Sequence, residues 1–406
     1  MQFMIIRFSV SSYRLFFEKA TLSMEATKDK ILSENKFSCK GYKNDLLKTA
    51  VIYGANASGK STMFQALNLF TEFIRSSASY TQNMPFDYTP FAFCDFTLLT
   101  SMECEFITKG IRYQYRFSYN NEEVIGEHLY SYPNGRKTIV FERVGDIYTF
   151  KSDIRLRKEN ARRVGPKSLY VSVCSQFNDK DCLNVFEWAS EEISVLVDQD
   201  VSACLNALVD MANTDERMWG YVLKAIRLAG LGILDVYYKG KNTQSADAGA
   251  VSHPIMDIWV MHHRDGVPKG LPISAESSGT VRFLAMIGPI VQALANGTTL
   301  AIDEMDLSLH PDLCRWIFSL FLDPSENQKN AQLIVNVQDV SLLDQSLVRR
   351  DQIWLSIRDF DTGKGQLRRL SDYSVRNDLD IRKAYLNGSF GGRPFIVPDK
   401  VFEDQD

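Results

Sequence analysis

Eight consecutive residues restrict this chain more than any other feature. Residues 54–61 read GANASGKS, a full match to G-x-x-x-x-G-K-[ST]. Before them stands TAVIY, residues 49–53, a short apolar run suited to a buried strand. After them Phe64, Leu67, Phe70 and Ile74 recur at helical spacing, which predicts a helix over 61–75. A strand, a glycine-bearing loop and a helix in that order make a phosphate cradle. Gly54 and Gly59 admit backbone angles that a Cβ forbids and let amides approach an anion. The loop amides and the helix N-terminus supply partial positive charge. Lys60 is placed to neutralise β- and γ-phosphates, and the Ser61 hydroxyl to ligate Mg²⁺. The expected binding set is Gly54, Ala55, Asn56, Ala57, Ser58, Gly59, Lys60, Ser61 and Thr62, with ATP and Mg²⁺ as ligands.

A triphosphate site of this kind needs acids opposite the loop. Residues 299–304, TLAIDE, form a β-rich run ending in Asp303 and Glu304. Asp303 at the strand end is the candidate behind the metal, and Glu304, pointing the other way, the candidate base for an attacking water. Upstream, ESSGT at 276–280 opens a helical pattern over about 280–295. Ser277 or Ser278 suits the N-cap, and Gly279 leaves amides uncovered, so a second helix N-terminus is offered to an anion.

At roughly 150 residues per domain, 406 residues suggest two or three domains. The motifs stand at both ends with a large insert between them, which predicts a discontinuous core over 1–178 and 250–371. Residues 102–150, rich in aromatic and β-branched residues with turns at Lys109-Gly110, Asn120-Asn121 and Pro133-Asn134-Gly135, predict antiparallel hairpins. SLYVSVC at 168–174 reads as a buried strand, 179–249 as an inserted helical lobe, and 372–406 as a tail with one helix near 377–387. A net charge of −4 argues against a polybasic protein. No uncharged apolar stretch of about 18 residues is present, so no membrane-spanning helix is expected. Seven scattered cysteines without C-x-x-C suit free thiols in a reducing cytoplasm.

The full set resembles the ABC-type nucleotide-binding fold of the SMC/RecF and OLD-like ATPases. That resemblance implies an α/β fold: an ABC-type P-loop ATPase core with an antiparallel β-hairpin subdomain and an inserted helical lobe. ESSGT matches the family's L-S-G-G-Q at Ser277 and Gly279 and departs from it at Glu276, Ser278 and Thr280. MDLSLH, residues 305–310, resembles the family's dimer-interface loop, with Asp306 and Ser308 in the recurring places. Closer still, GANASGKSTMFQAL, YSYPNGRKTIVFER, LYVSVCSQFN, IDEMDLSLHP and YLNGSFGGRPFI are similar to small AAA-type ATPases of bacterial anti-phage operons, such as RloA-like proteins and the ATPase subunit of PARIS systems. The resemblance implies two further contacts: Arg14 near nucleotide phosphate, and Gln176 as a sensor of Mg²⁺ and the γ-phosphate. It also exposes a departure. The family follows the strand at QLIVNV with a histidine and an aspartate; here Gln338-Asp339 stand there. Glutamine cannot carry positive charge at neutral pH. The lost charge-assisted contact is worth on the order of 1–3 kcal/mol, about ten- to hundredfold in rate. Slow or conditional hydrolysis is expected.

In this fold the two motifs of one site come from different subunits, so the resemblance implies a head-to-tail homodimer with two sandwiched nucleotides, or a higher oligomer. The leading expectation is a cytoplasmic ATP-dependent sensor or scaffold in anti-phage defence. It would hold a separate effector, a nuclease, and release or activate it on a trigger, for which a phage-encoded protein is the candidate. The alternative is a RecF/SMC-like repair ATPase acting on DNA. For that reading the run RLRKENARR, residues 155–163, is either a phosphate-contacting patch or a solvated helix face.

Overall fold

The apolar run ahead of the phosphate loop is a central strand, and the fold is arranged around it. In the computed structural model, which describes residues 3–94, 98–197, 201–238, 258–264, 267–373 and 379–391, the chain opens with β1 (Met4–Ser11) and β2 (Ala20–Ser23), an antiparallel pair. A two-stranded ribbon of β3 (Lys36–Phe37) and β4 (Leu46–Leu47) leads into β5 (Thr49–Gly54), and α1 (Lys60–Ser76) follows. Every residue of β5 is buried. Ala50 and Ile52 belong to one hydrophobic cluster, Val51 and Tyr53 to the other, as the two-residue period of a strand requires. A strand covered on both faces shows no polar alternation, so TAVIY reads as a continuous apolar run.

The expected hairpins form as β6 (Thr100–Thr108), β7 (Ile111–Tyr119), β8 (Val124–Tyr132), β9 (Thr138–Val144) and β10 (Ile147–Phe150). With β1 and β2 they make a seven-stranded antiparallel sheet, ordered β10-β9-β8-β7-β6-β1-β2. Aromatic side chains join this sheet to α1. Phe70 stacks on Phe117 with centroids 5.3 Å apart and meets Phe8 edge-on at 5.6 Å, spacings typical of favourable ring pairs.

Next come α2 (Ile154–Ala161), α3 (Tyr170–Cys174), α4 (Lys180–Glu187) and one π-turn over Trp188–Glu192. Here the strand expected over 168–174 is a helix. A short apolar run suits either state; Glu127 decides. Its buried carboxylate accepts the N–H of Tyr170 at 2.6 Å and of Val171 at 3.0 Å, pairing donors that a first helical turn leaves open. The basic run is also not a free patch. The Arg157 guanidinium is buried, donating to Asp179 at 2.9 Å, Asp181 at 2.8 Å and the Val140 carbonyl at 2.9 Å. Arg155, Lys158, Arg162 and Arg163 remain exposed.

The span expected to be a helical lobe also carries strands. β11 (Ile193–Leu196) enters the central sheet. α5 (Val201–Thr214) and α6 (Glu216–Leu228) follow, then β12 (Ile233–Tyr238), β13 (Ile258–Arg264) and β14 (Val267–Pro272) as a small antiparallel sheet.

The remaining elements complete the central layer: α7 (Ser278–Asn296), β15 (Thr299–Ile302), α8 (Pro311–Leu322), β16 (Gln332–Asn336), β17 (Ile353–Arg358), β18 (Gly365–Arg369) and α9 (Ile381–Leu386). The sheet order is β11-β15-β16-β5-β17-β18, parallel except for β18. α1 lies on one face, and α7 and α8 on the other. The architecture is an α/β P-loop core with an antiparallel sheet packed over α1. Among the described helices, α7 is long and apolar enough to cross a membrane, with mean hydropathy 1.3. Yet its Phe283, Leu284, Ile287 and Ile290 are buried in the protein core.

Candidate nucleotide site

The C-terminal ends of β5, β15 and β16 converge, the usual place for a ligand in a parallel sheet. Gly54 closes β5 against β17. A Cβ there would sit 2.4 Å from the Ser356 carbonyl oxygen and 2.5 Å from Ser58 Oγ, so only glycine fits. The loop turns through Ala57 at φ 60° and Gly59 at φ 105°, left-handed conformations that L side chains disfavour. Ser356 Oγ donates to the Ser58 carbonyl at 2.9 Å and braces the loop. Lys60, first residue of α1, is buried and donates to the carbonyls of Gly54 at 2.7 Å and Ala55 at 3.1 Å. Burial holds its ammonium below the usual lysine range, against the opposing pull of Glu304, Asp306 and Asp303. Ser61 and Thr62 continue the first turn, whose amides face the loop.

The acids come from the neighbouring strands. Asp303 is buried just after β15, and its N–H donates to the Leu196 carbonyl of β11 at 2.9 Å. The Asn336 side chain at the end of β16 donates to the Asp303 carboxylate and accepts the Glu304 N–H at 2.6 Å. Glu304 stands at φ 49°. The Asp306 carboxylate accepts the N–H groups of Gln338 and Asp339, each at 2.8 Å. The acid loop and the loop after β16 are thus tied together, while the Gln338 side chain is exposed.

The serine/glycine turn adjoins the same acid loop. Ser277 is the N-cap of α7, its hydroxyl accepting the Thr280 N–H at 3.1 Å. Ser278 begins the helix and is exposed. At Gly279 a Cβ would lie 2.5 Å from the Ser308 carbonyl oxygen. Glycine is therefore needed here for close backbone approach as well as for any anion.

Arg14 is exposed at φ 49°, and its N–H donates to the Thr89 carbonyl at 2.8 Å. Its neighbour Leu15 packs beside Gly59. Arg14 also lines a cavity of about 360 Å³ with Gln65, Asn68, Glu72, Asp87 and Val197, along the outer side of α1.

Gln176 is not brought to this site. It is exposed in the turn after α3, and α3 is fastened to the far end of α1. Leu169 N–H donates to Ser77 Oγ at 3.1 Å and Ala78 N–H to Ser172 Oγ at 2.9 Å. A 17-residue helix separates that end from Lys60, roughly 25 Å at 1.5 Å per residue. The strand that does end beside Asp303 is β11. The sequence after Leu196 reads Val197-Asp198-Gln199-Asp200, and Gln199 lies outside the described residues.

Three residues of this centre carry no local sequence signal: Asn336, Ser356 and Arg282. Arg282 of α7 is buried and donates to the Glu304 carbonyl at 2.6 Å. Burial lowers its affinity for the proton, opposed by Glu304, Asp306 and Asp303.

Residues 50–344 match the model of the family described as "AAA domain, putative AbiEii toxin, Type IV TA system". This chain belongs to that AAA-domain family. No curated protein matches it significantly. Among solved structures it is similar to an Smc head bound to the C-winged helix domain of ScpA, at 12% identity and TM-score 0.50, covering 90% of this chain and 96% of that one. An SMC head domain from Thermotoga maritima aligns at 14% identity and TM-score 0.42, over 91% and 99% of the two chains. The family and the phosphate loop make this a P-loop protein of the AAA type, and its fold is like that of the Smc head.

The residues present fit magnesium–ATP. Gly54 and Gly59 leave the cradle uncovered, Ser58 Oγ is buried with no hydrogen-bond partner among the described residues, and Lys60 faces Asp303, Glu304 and Asp306. A buried cation beside three acids, at the N-terminus of α1, suits a polyanion with a divalent cation.

Proposed function

We propose that this chain is an ATP-driven molecular switch in bacterial anti-phage defence. Two copies sandwich two nucleotides, the phosphate loop of one facing the Ser277–Gly279 turn of the other. The observation that carries this is the exposed turn seated on Ser308 of its own acid loop. A motif fixed there is displayed outward, where a neighbouring chain can use it. In the sandwich, Lys60 neutralises the β- and γ-phosphates, Ser61 and Asp303 hold Mg²⁺, and Glu304 orients the attacking water. The Ser277 and Ser278 hydroxyls and the Gly279 amide grip the partner's γ-phosphate. Mg²⁺ supplies charge neutralisation of the phosphate oxygens. Arg14 reaches a phosphate from the β1–β2 side. Gln338, uncharged, keeps hydrolysis slow. The ATPase core comprises 1–178 and 250–371 together with β11, and the lobe after β11 and the tail from 372 are accessory.

The ATP state in turn sets the dimer's shape through differential binding. Inside the cytoplasm this assembly holds a separate effector, a nuclease, and a phage-encoded trigger releases or activates it. The family's toxin–antitoxin description and the likeness to RloA-like and PARIS ATPases support this placement. Co-purification with the products of flanking genes tests it. A stoichiometric nuclease bound in the absence of DNA agrees with the proposal. Salt-dependent DNA affinity that needs Arg155, Lys158, Arg162 and Arg163, with no protein partner, favours the RecF/SMC-like repair reading instead. With Arg157 committed to Asp179 and Asp181, that reading has lost one of its five cations. The catalytic part is tested separately by Glu304→Gln: trapped ATP without phosphate release agrees, and unchanged release removes Glu304 as base.

A further inference from the structure

Helix α7 touches the acid loop of its own chain at both ends of that loop. At one end Gly279 lies against the Ser308 carbonyl. At the other, one turn further along the helix, Arg282 donates to the Glu304 carbonyl at 2.6 Å. Glu304 itself is held in a left-handed conformation, φ 49°, which a residue with a Cβ keeps only when its surroundings fix it. Two groups do so here: Asn336 takes its N–H at 2.6 Å, and Arg282 takes its carbonyl. The Leu307 N–H shares that carbonyl at 3.1 Å and closes the turn.

The chemistry of Arg282 is unusual for a residue that only stabilises a fold. Its side chain is 8% exposed, and its Nε has no hydrogen-bond partner among the described residues. A buried, under-satisfied charge is a poor way to gain stability; a well-packed apolar residue does as well or better. Three carboxylates, Asp303, Glu304 and Asp306, surround it electrostatically. Yet its hydrogen bond goes to the backbone of Glu304, so the Glu304 carboxylate stays available.

We propose that Arg282 is a positioning residue that ties the Ser277–Gly279 turn to the backbone of Glu304, so that engagement of the turn by a partner's nucleotide sets the geometry of the carboxylate in the turn's own subunit. The inference rests on the nucleotide sandwich proposed above. It makes the two sites of a pair communicate through one rigid helical turn and two backbone carbonyls, Glu304 and Ser308.

The test compares Arg282→Ala and Arg282→Lys with the parent protein. Calorimetry with magnesium–ATP and single-turnover phosphate release separate affinity from rate. For Arg282→Ala we expect affinity within about threefold of the parent and a rate about ten- to hundredfold lower. Arg282→Lys, which can still donate to the Glu304 carbonyl, recovers part of that rate. Affinity and rate falling together in both variants, or a rate unchanged in Arg282→Ala, overturns the inference. Amide hydrogen exchange gives a readout that needs no turnover. The Met305 and Leu307 amides exchange at least about tenfold faster in Arg282→Ala while those of Ile334 and Val335 in β16 do not change. Equal exchange at all four positions also overturns it. A parent protein that binds ATP but never releases phosphate defeats the ATPase reading alone; the exchange comparison still decides Arg282.

Discussion

Gln338 presents an exposed amide at the end of a loop whose backbone is pinned by Asp306. The position is therefore fixed while the side chain is free, and a histidine there could reach a phosphate without moving the backbone. Gln338→His is expected to raise the hydrolysis rate about tenfold or more, the worth of one charge-assisted contact in the transition state. Phosphate-release kinetics check this, and an unchanged or lower rate counts against the role assigned to this position. Gly54 is the opposite case, a residue with no freedom. In Gly54→Ala the new methyl meets the Ser356 carbonyl at 2.4 Å, backbone that cannot swing aside. A loss on the order of 1–3 kcal/mol in stability is expected from such overpacking, with nucleotide affinity reduced in calorimetry; wild-type values for both would show the loop to be softer than drawn. The residues of the phosphate loop and the acid pair are legible in the sequence because their roles depend on neighbours in the chain. Asn336, Ser356 and Arg282 are not, because each acts on a residue that is remote in sequence.

Two elements carry the next scale. The segment α2 is anchored by Arg157, which lies between Asp179 and Asp181 at the start of α4. Arg157→Ala strands the buried Asp179 carboxylate and is expected to cost about 3–5 kcal/mol of stability, read by denaturant unfolding. A cost near zero would restore the run as a solvated face. The π-turn ahead of β11 holds the second case. Burial, helped by Glu187 and Glu191, pushes the Glu192 carboxyl up to about 7, against an ordinary value of 4.5, and the Thr108 hydroxyl and Lys109 oppose it. A folded-state value above the unfolded one means the native state binds the proton more tightly. Its contribution to stability is complete below pH 4.5 and is lost as pH rises through 7. Glu192→Gln should flatten the fall in Tm between acid and neutral pH. If the slope persists unchanged, Glu192 is not its source. At this scale TAVIY and the helix after it could be read directly, since burial on both faces and a helical stripe leave plain patterns. SLYVSVC could not: what makes it helical is Glu127, which lies outside the run. β11 was hidden within a span whose flanking segments are helical, and β18 alternates too weakly to be marked.

For the whole molecule, one sheet brings three loops to a common edge, and α7 carries a fourth motif to the outside of the same chain. In the proposed sandwich a single copy has half of each of two sites, and closure needs a second copy related head to tail. The proposed switch would then carry its partner-facing turn and its chemistry on one unit. Light scattering of Glu304→Gln with and without magnesium–ATP, beside the same protein also carrying Ser278→Arg, addresses it most directly. The account predicts that ATP doubles the mass of the first, while the second binds ATP and stays single. Full ATP binding by the first with no change in mass would contradict it.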